Sequence, residues 1–100
     1  MIEYIISIGL NDRETYQQEI ETEAARQMVY DAFGECTIQD CRGSFRHENG
    51  VMTYECSFRV YIYAGEKDEL RIINACRELK NALNQEAIYI SKREVNSQMI

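Results

Sequence analysis

Residues 47–63 read His47-Glu48-Asn49-Gly50-Val51-Met52-Thr53-Tyr54-Glu55-Cys56-Ser57-Phe58-Arg59-Val60-Tyr61-Ile62-Tyr63. Asn-Gly is the strongest short hairpin signal, because a type I′ turn needs positive φ at both central residues. Beyond it the chain alternates. Met52, Tyr54, Cys56, Phe58, Val60 and Ile62 point one way, and Thr53, Glu55, Ser57, Arg59, Tyr61 and Tyr63 the other. That period of two marks a strand over Val51–Tyr63 with one face buried. Upstream, 36–46 supplies the partner strand, with Gly43 expected as a bulge or kink. A two-residue turn would set Arg46 opposite Thr53, Ser44 opposite Glu55, Arg42 opposite Ser57 and Asp40 opposite Arg59, all on the outer face. Asp40–Arg59 and Arg42–Glu55 then read as cross-strand charge pairs. An anion site made by Arg42, Arg46 and Arg59 is the functional alternative.

Working outward, Ile2–Leu10 forms a first strand, with Ile2, Tyr4, Ile6, Ile8 and Leu10 on one face. Residues 13–21 are polar and fit either a loop or a first helical turn. From Thr22, an expected N-cap, Ala24, Ala25, Met28, Val29, Ala32 and Phe33 recur at helical spacing up to a stop at Gly34. Asp68 is an expected N-cap for a second helix to about Asn84, with the stripe Leu70, Ile72, Ile73, Cys76, Leu79 and Leu83. A last strand covers 87–95, with Ile88 and Ile90 inward. The order β-α-β-β-α-β predicts a single ferredoxin-like α+β sandwich over residues 1–100. Its antiparallel sheet has order 4-1-3-2 and carries both helices on one face.

Composition narrows the function. The 100 residues carry a formal charge of −6, which argues against direct nucleic-acid binding. Tyr54–Val60 also lacks the glycine-aromatic, basic pattern of an RNA-recognition strand. The N-terminal segment has neither a basic leader nor a cleavage site, and no apolar run is long enough for a bilayer. The expected location is therefore the cytoplasm, away from membranes, with Cys36, Cys41, Cys56 and Cys76 as reduced, small apolar residues. No cofactor or metal motif occurs, and no catalytic residue is assigned. His47, the sole histidine, is expected to be an exposed turn residue.

The sheet face not covered by helices is the informative surface. It should carry Ile5, Tyr61, Tyr63 and Tyr89 among Glu3, Ser7, Ser57 and Arg59, and such an amphipathic patch reads as a self-association face. Asp12, Glu14, Glu19, Glu21 and Glu23 form an acidic segment that suits solvent or a basic protein partner. The runs Ile6–Asp12, Gly43–Arg46 with Asn49-Gly50, and Leu83–Ile88 resemble a family of short uncharacterised bacterial proteins, a domain of unknown function. The resemblance implies a bacterial or mobile-element source and carries over no catalytic residue. Three readings follow. The leading one is a non-enzymatic protein-binding module that forms a homodimer through its open sheet face. The second is an acidic inhibitor, encoded by a mobile element, that imitates nucleic acid. The third is a small dimeric ferredoxin-like enzyme.

Overall fold

A computed structural model describes all of residues 1–100. The chain runs β1 (Ile2–Gly9), α1 (Thr22–Phe33), β2 (Thr37–Arg46), β3 (Met52–Ala64), α2 (Glu69–Ala82) and β4 (Tyr89–Glu94), with a 3-10 turn at Glu66–Asp68 before α2. The strands form one antiparallel sheet in the order β2-β3-β1-β4, which is the expected topology. Both helices cover the same face. Ile2, Tyr4, Ile6 and Ile8 of β1 and Phe58, Val60 and Ile62 of β3 share one core with Ala25, Val29 and Phe33 of α1 and Ile72, Ala75, Cys76 and Leu79 of α2.

The local stops are as expected for α1, where Gly34 has φ +72° and donates its N–H to the Tyr30 carbonyl. Thr22 is the first helical residue rather than the cap. Residues 13–21 are loop. The Asp12 carboxylate accepts from the backbone N–H groups of Glu14 (2.8 Å) and Thr15 (3.2 Å), a turn that competes with a helical start.

The hairpin departs from expectation, and the departure matters for function. The His47 N–H donates to the Val51 carbonyl and the Gly50 N–H to the His47 carbonyl, with Gly50 at φ +87°. This is a three-residue loop closed by a glycine bulge, not a two-residue turn, and Asn49 keeps negative φ. One extra loop residue shifts the pairing by one and turns every β2 side chain to the opposite face. Phe45 now lies opposite Thr53, Gly43 opposite Glu55, Cys41 opposite Ser57 and Gln39 opposite Arg59. The expected pairs Asp40–Arg59 and Arg42–Glu55 do not form. The anion site is dismantled too, with Arg59 on the outer face and Arg42 and Arg46 on the helix side. Asp40 instead accepts two bonds from Arg26 of α1, at 2.6 and 3.1 Å. Gly43 sits in unbroken pairing, so the expected bulge is absent.

Burial also follows tertiary position more than alternation. Tyr54 and Met52 lie on the helix side of β3, yet Tyr54 is 80% exposed, because the hairpin overhangs the helices. Leu70 and Ile90 are likewise exposed rather than in the core. Tyr4, by contrast, is 1% exposed, and its hydroxyl has no hydrogen-bond partner. Burial pushes the phenol pKa up, reinforced by the Glu69 carboxylate nearby. An unpaired buried hydroxyl carries an unrepaid desolvation cost. Tyr4→Phe is therefore expected to raise the unfolding free energy by about 1 kcal/mol, read as a higher urea midpoint with an unchanged slope. A fall in the midpoint would mean that the hydroxyl holds a partner.

Candidate active site

Three connections meet at the end of the sheet where β1 stops and β4 starts: the loop after β1, the hairpin loop and the link between α2 and β4. Polar bonds tie them together. The Arg13 N–H donates to the Asn84 carbonyl, Asn84 Nδ2 to Asp12 Oδ2 (3.0 Å), and Gln85 Nε2 to the Asn11 carbonyl (2.6 Å). Asn84 adopts φ +47° to make this junction. The Asn84 bond, with the Glu14 and Thr15 N–H groups, holds the Asp12 carboxyl below its ordinary value.

His47 is the clearest correction. It is 5% exposed rather than a solvated turn residue. Its Nδ1 lies 2.7 Å from Glu86 Oε1 and its Nε2 lies 3.1 Å from Thr53 Oγ1. The Tyr16 ring stacks on one side with centroids 4.1 Å apart, and Phe45 meets it edge-on at 5.1 Å. Tyr16 reaches this place at φ +61°, a left-handed conformation for which a bulky residue needs support, and its hydroxyl accepts a bond from Asn49 Nδ2. No sequence spacing announces a partner that lies 39 residues downstream.

Between these walls, on the sheet face away from the helices, lies a pocket of about 140 Å³. Ser7 and Gly9 of β1, Glu55 and Ser57 of β3, and Gly43 and Phe45 of β2 make its floor; His47, Glu86 and Tyr89 stand around it. Glu55 is half-buried. Its Oε2 accepts the Asn11 N–H at 2.8 Å, and no arginine or lysine pairs with it. Burial raises its carboxyl above the ordinary value, against smaller opposing pulls from the Asn11 N–H and His47. Its carboxylate fills the space beside Gly9: a Cβ placed there would lie 2.6 Å from the Glu55 carboxyl carbon. Arg13 is the only lysine or arginine lining the pocket, and it has no carboxylate partner.

The residues expected to form an outer patch do share the outer face, since Ile5 pairs with Tyr61, Glu3 with Tyr63 and Ser7 with Tyr89. Only Tyr89 reaches the pocket. The Tyr63 hydroxyl and Arg93 donate to Glu3 at 2.8 Å each, and the Tyr61 hydroxyl donates to Gln39. The two bonds to Glu3, Tyr63 first, hold its carboxyl low. The acidic segment is distributed. Asp12 is engaged in its loop, Glu19 accepts from Thr15, Glu23 pairs with Arg26, and Glu14 and Glu21 have no ion-pair partner. Glu55, Gly9, Gly43, Arg13 and Glu86 were not singled out as site residues from the sequence. A glutamate and two strand glycines were visible there, but only the true register brings them to one level.

No family model matches this chain, and no curated protein matches it. Solved structures do. A phage SAM lyase in complex with S-methyl-5′-thioadenosine superposes with a TM-score of 0.73 at 17% identity, over 93% of this chain and 80% of that one. The apo form of a phage SAM lyase gives 0.70 at 17% identity, over 92% and 78%. The fold is similar to that of a phage SAM lyase. This likeness overturns the leading reading of a non-enzymatic self-association module: the matching phage chains are a lyase, and one end of the open sheet face here holds a polar pocket. The nucleic-acid mimic falls with it. No helix is long and apolar enough to cross a membrane.

Proposed function

We propose that this chain is a small lyase that cleaves a sulfonium nucleoside of the S-adenosylmethionine type, releasing S-methyl-5′-thioadenosine. The carrying observation is Glu55, an unpaired, half-buried carboxylate on the floor of the pocket. A carboxylate kept from water without a cation of its own is suited to a cationic ligand. The shared fold supports the choice of a sulfonium, and Phe45 and Tyr89 offer aromatic surface that a sulfonium or a nucleobase can use.

The reaction asks little of acid or base groups. The bond between sulfur and Cγ of the amino-acid chain breaks, and both electrons go to sulfur, which leaves as a neutral thioether. The substrate's own carboxylate oxygen bonds to Cγ and closes a five-membered lactone that retains the ammonium group. No water or proton is consumed. Abstraction of the unactivated Cβ proton by a carboxylate is much less favourable than this ring closure, which has the effective molarity of a well-placed intramolecular attack, about 10⁵ M or more. Opposite charges cancel as the ring closes, so a pocket that removes water from the sulfonium accelerates the step. Glu55 draws the sulfonium in, and Arg13 at the rim meets the substrate carboxylate.

The test is to incubate the purified chain with S-adenosylmethionine and separate the products by chromatography. Enzyme-dependent S-methyl-5′-thioadenosine with an equimolar homoserine lactone is the expected result. Unchanged substrate, or S-adenosylhomocysteine in its place, would refute the reading.

A further inference from the structure

The centre of β2 holds a glycine for which the fold supplies no reason. Gly43 lies in continuous antiparallel pairing, directly across from Glu55. Its φ is not left-handed, since among the glycines only Gly34 and Gly50 have positive φ. A Cβ placed on Gly43 would meet nothing nearer than Ser57 Oγ at 3.6 Å, an ordinary contact. Gly9 differs, because there the Glu55 carboxylate itself fills the position. Glycine inside a regular strand weakens it through backbone entropy and a missing packing group. The space above Gly43 thus holds no protein atom within 4 Å except the Ser57 hydroxyl, and it opens into the pocket that Glu55 also lines.

We propose that Gly43 is the size-determining residue of this pocket, its missing side chain being the room that the substituents of a sulfonium centre occupy beside Glu55. This rests on the sulfonium reading of the pocket and adds which residue limits what enters. A Cβ at this position takes up ligand space and comes within 4 Å of no Glu55 atom. The loss should grade with volume, from alanine to valine. Stability should move the other way, since both residues suit a strand better than glycine.

The experiment compares the full chain with Gly43→Ala and Gly43→Val. Thermal unfolding is measured first, then amide NMR titrations with trimethylsulfonium and with S-adenosylmethionine. Both variants are expected to melt at or up to about 4 °C above the parent. The parent should show pocket shifts at Gly9, Gly43 and Glu55 with both probes. Gly43→Val should bind each at least about tenfold more weakly, and Gly43→Ala should fall between. A lower melting temperature for Gly43→Ala would assign the glycine to the fold and overturn the proposal, as would equal binding by all three proteins. If the parent binds trimethylsulfonium but not S-adenosylmethionine and the valine variant loses it, the size limit stands and the proposed substrate falls. If S-adenosylmethionine is cleaved equally by all three, the substrate stands and the size limit falls. No pocket shift with either probe would overturn both.

Discussion

Glu55→Gln should lower kcat/KM for release of S-methyl-5′-thioadenosine by about 30- to 150-fold, mostly through KM. A charge-assisted contact in a desolvated pocket is worth about 2–3 kcal/mol, and each 1.4 kcal/mol is about tenfold. The interaction is with a cation already present in bound substrate, so its loss weakens binding more than turnover. The same residue sets a pH signature. Burial raises the Glu55 carboxyl, and only the ionised form attracts a sulfonium. The parent profile should therefore climb as pH rises through that raised value, and the glutamine variant should lack this limb. Stability runs in the opposite direction. A group whose pKa is raised by folding stabilises fully below its unfolded value and loses that contribution as pH rises through the folded one. At neutral pH the glutamine variant should thus be at least as stable as the parent while being less active. Asp12 and Asp40 have the other sign: Asn84 and Arg26 respectively hold them low, so their contribution is present above the ordinary carboxylate value and lost as pH falls through the lowered one. Parent-like activity in Glu55→Gln would remove the pocket from the reaction.

Phe58→Ala should cost about 3–5 kcal/mol of unfolding free energy, the usual range for a buried aromatic cut to a methyl. Phe58 is 1% exposed in β3, which pairs with β1 on one side and β2 on the other. The Arg26 guanidinium carbon sits 5.0 Å from its ring centroid, and Arg26 in turn holds Asp40 and Glu23. Alanine leaves a cavity and strips the arginine of its aromatic face, so two losses coincide. Domains of this size have about 5–15 kcal/mol in total, so a large share of the margin disappears. The urea midpoint should fall steeply with the slope kept, and Phe58→Leu should recover most of the loss. A midpoint shift under 1 kcal/mol equivalent would show that the core does not depend on this ring.

Much of the architecture was legible along the chain because it depends on local rules. Alternation in 51–63 and 2–10 marks central strands, since a residue flanked by two strands and covered by helices must be apolar every second position. The helical stripes ending at Phe33 and Leu83 follow from 3.6-residue periodicity, and Gly34 stops α1 because it tolerates positive φ. From these the order β-α-β-β-α-β and the sheet topology followed.

The hairpin shows where that legibility stops. Asn49-Gly50 announces a turn but leaves open whether the loop has two residues or three, and the two options differ by a one-residue slip. The sequence by itself determined the elements, their order and the helix-covered faces of β1 and β3, because short-range sterics and hydrophobic periodicity decide those. Tertiary structure alone decided the candidate site. His47 meets Glu86 across 39 residues, Glu55 settles into the gap at Gly9, and Gly43 comes opposite Glu55 only in the register that the third loop residue sets. Those juxtapositions join residues far apart in the chain, and their chemistry depends on water excluded by walls that three separate connections build together.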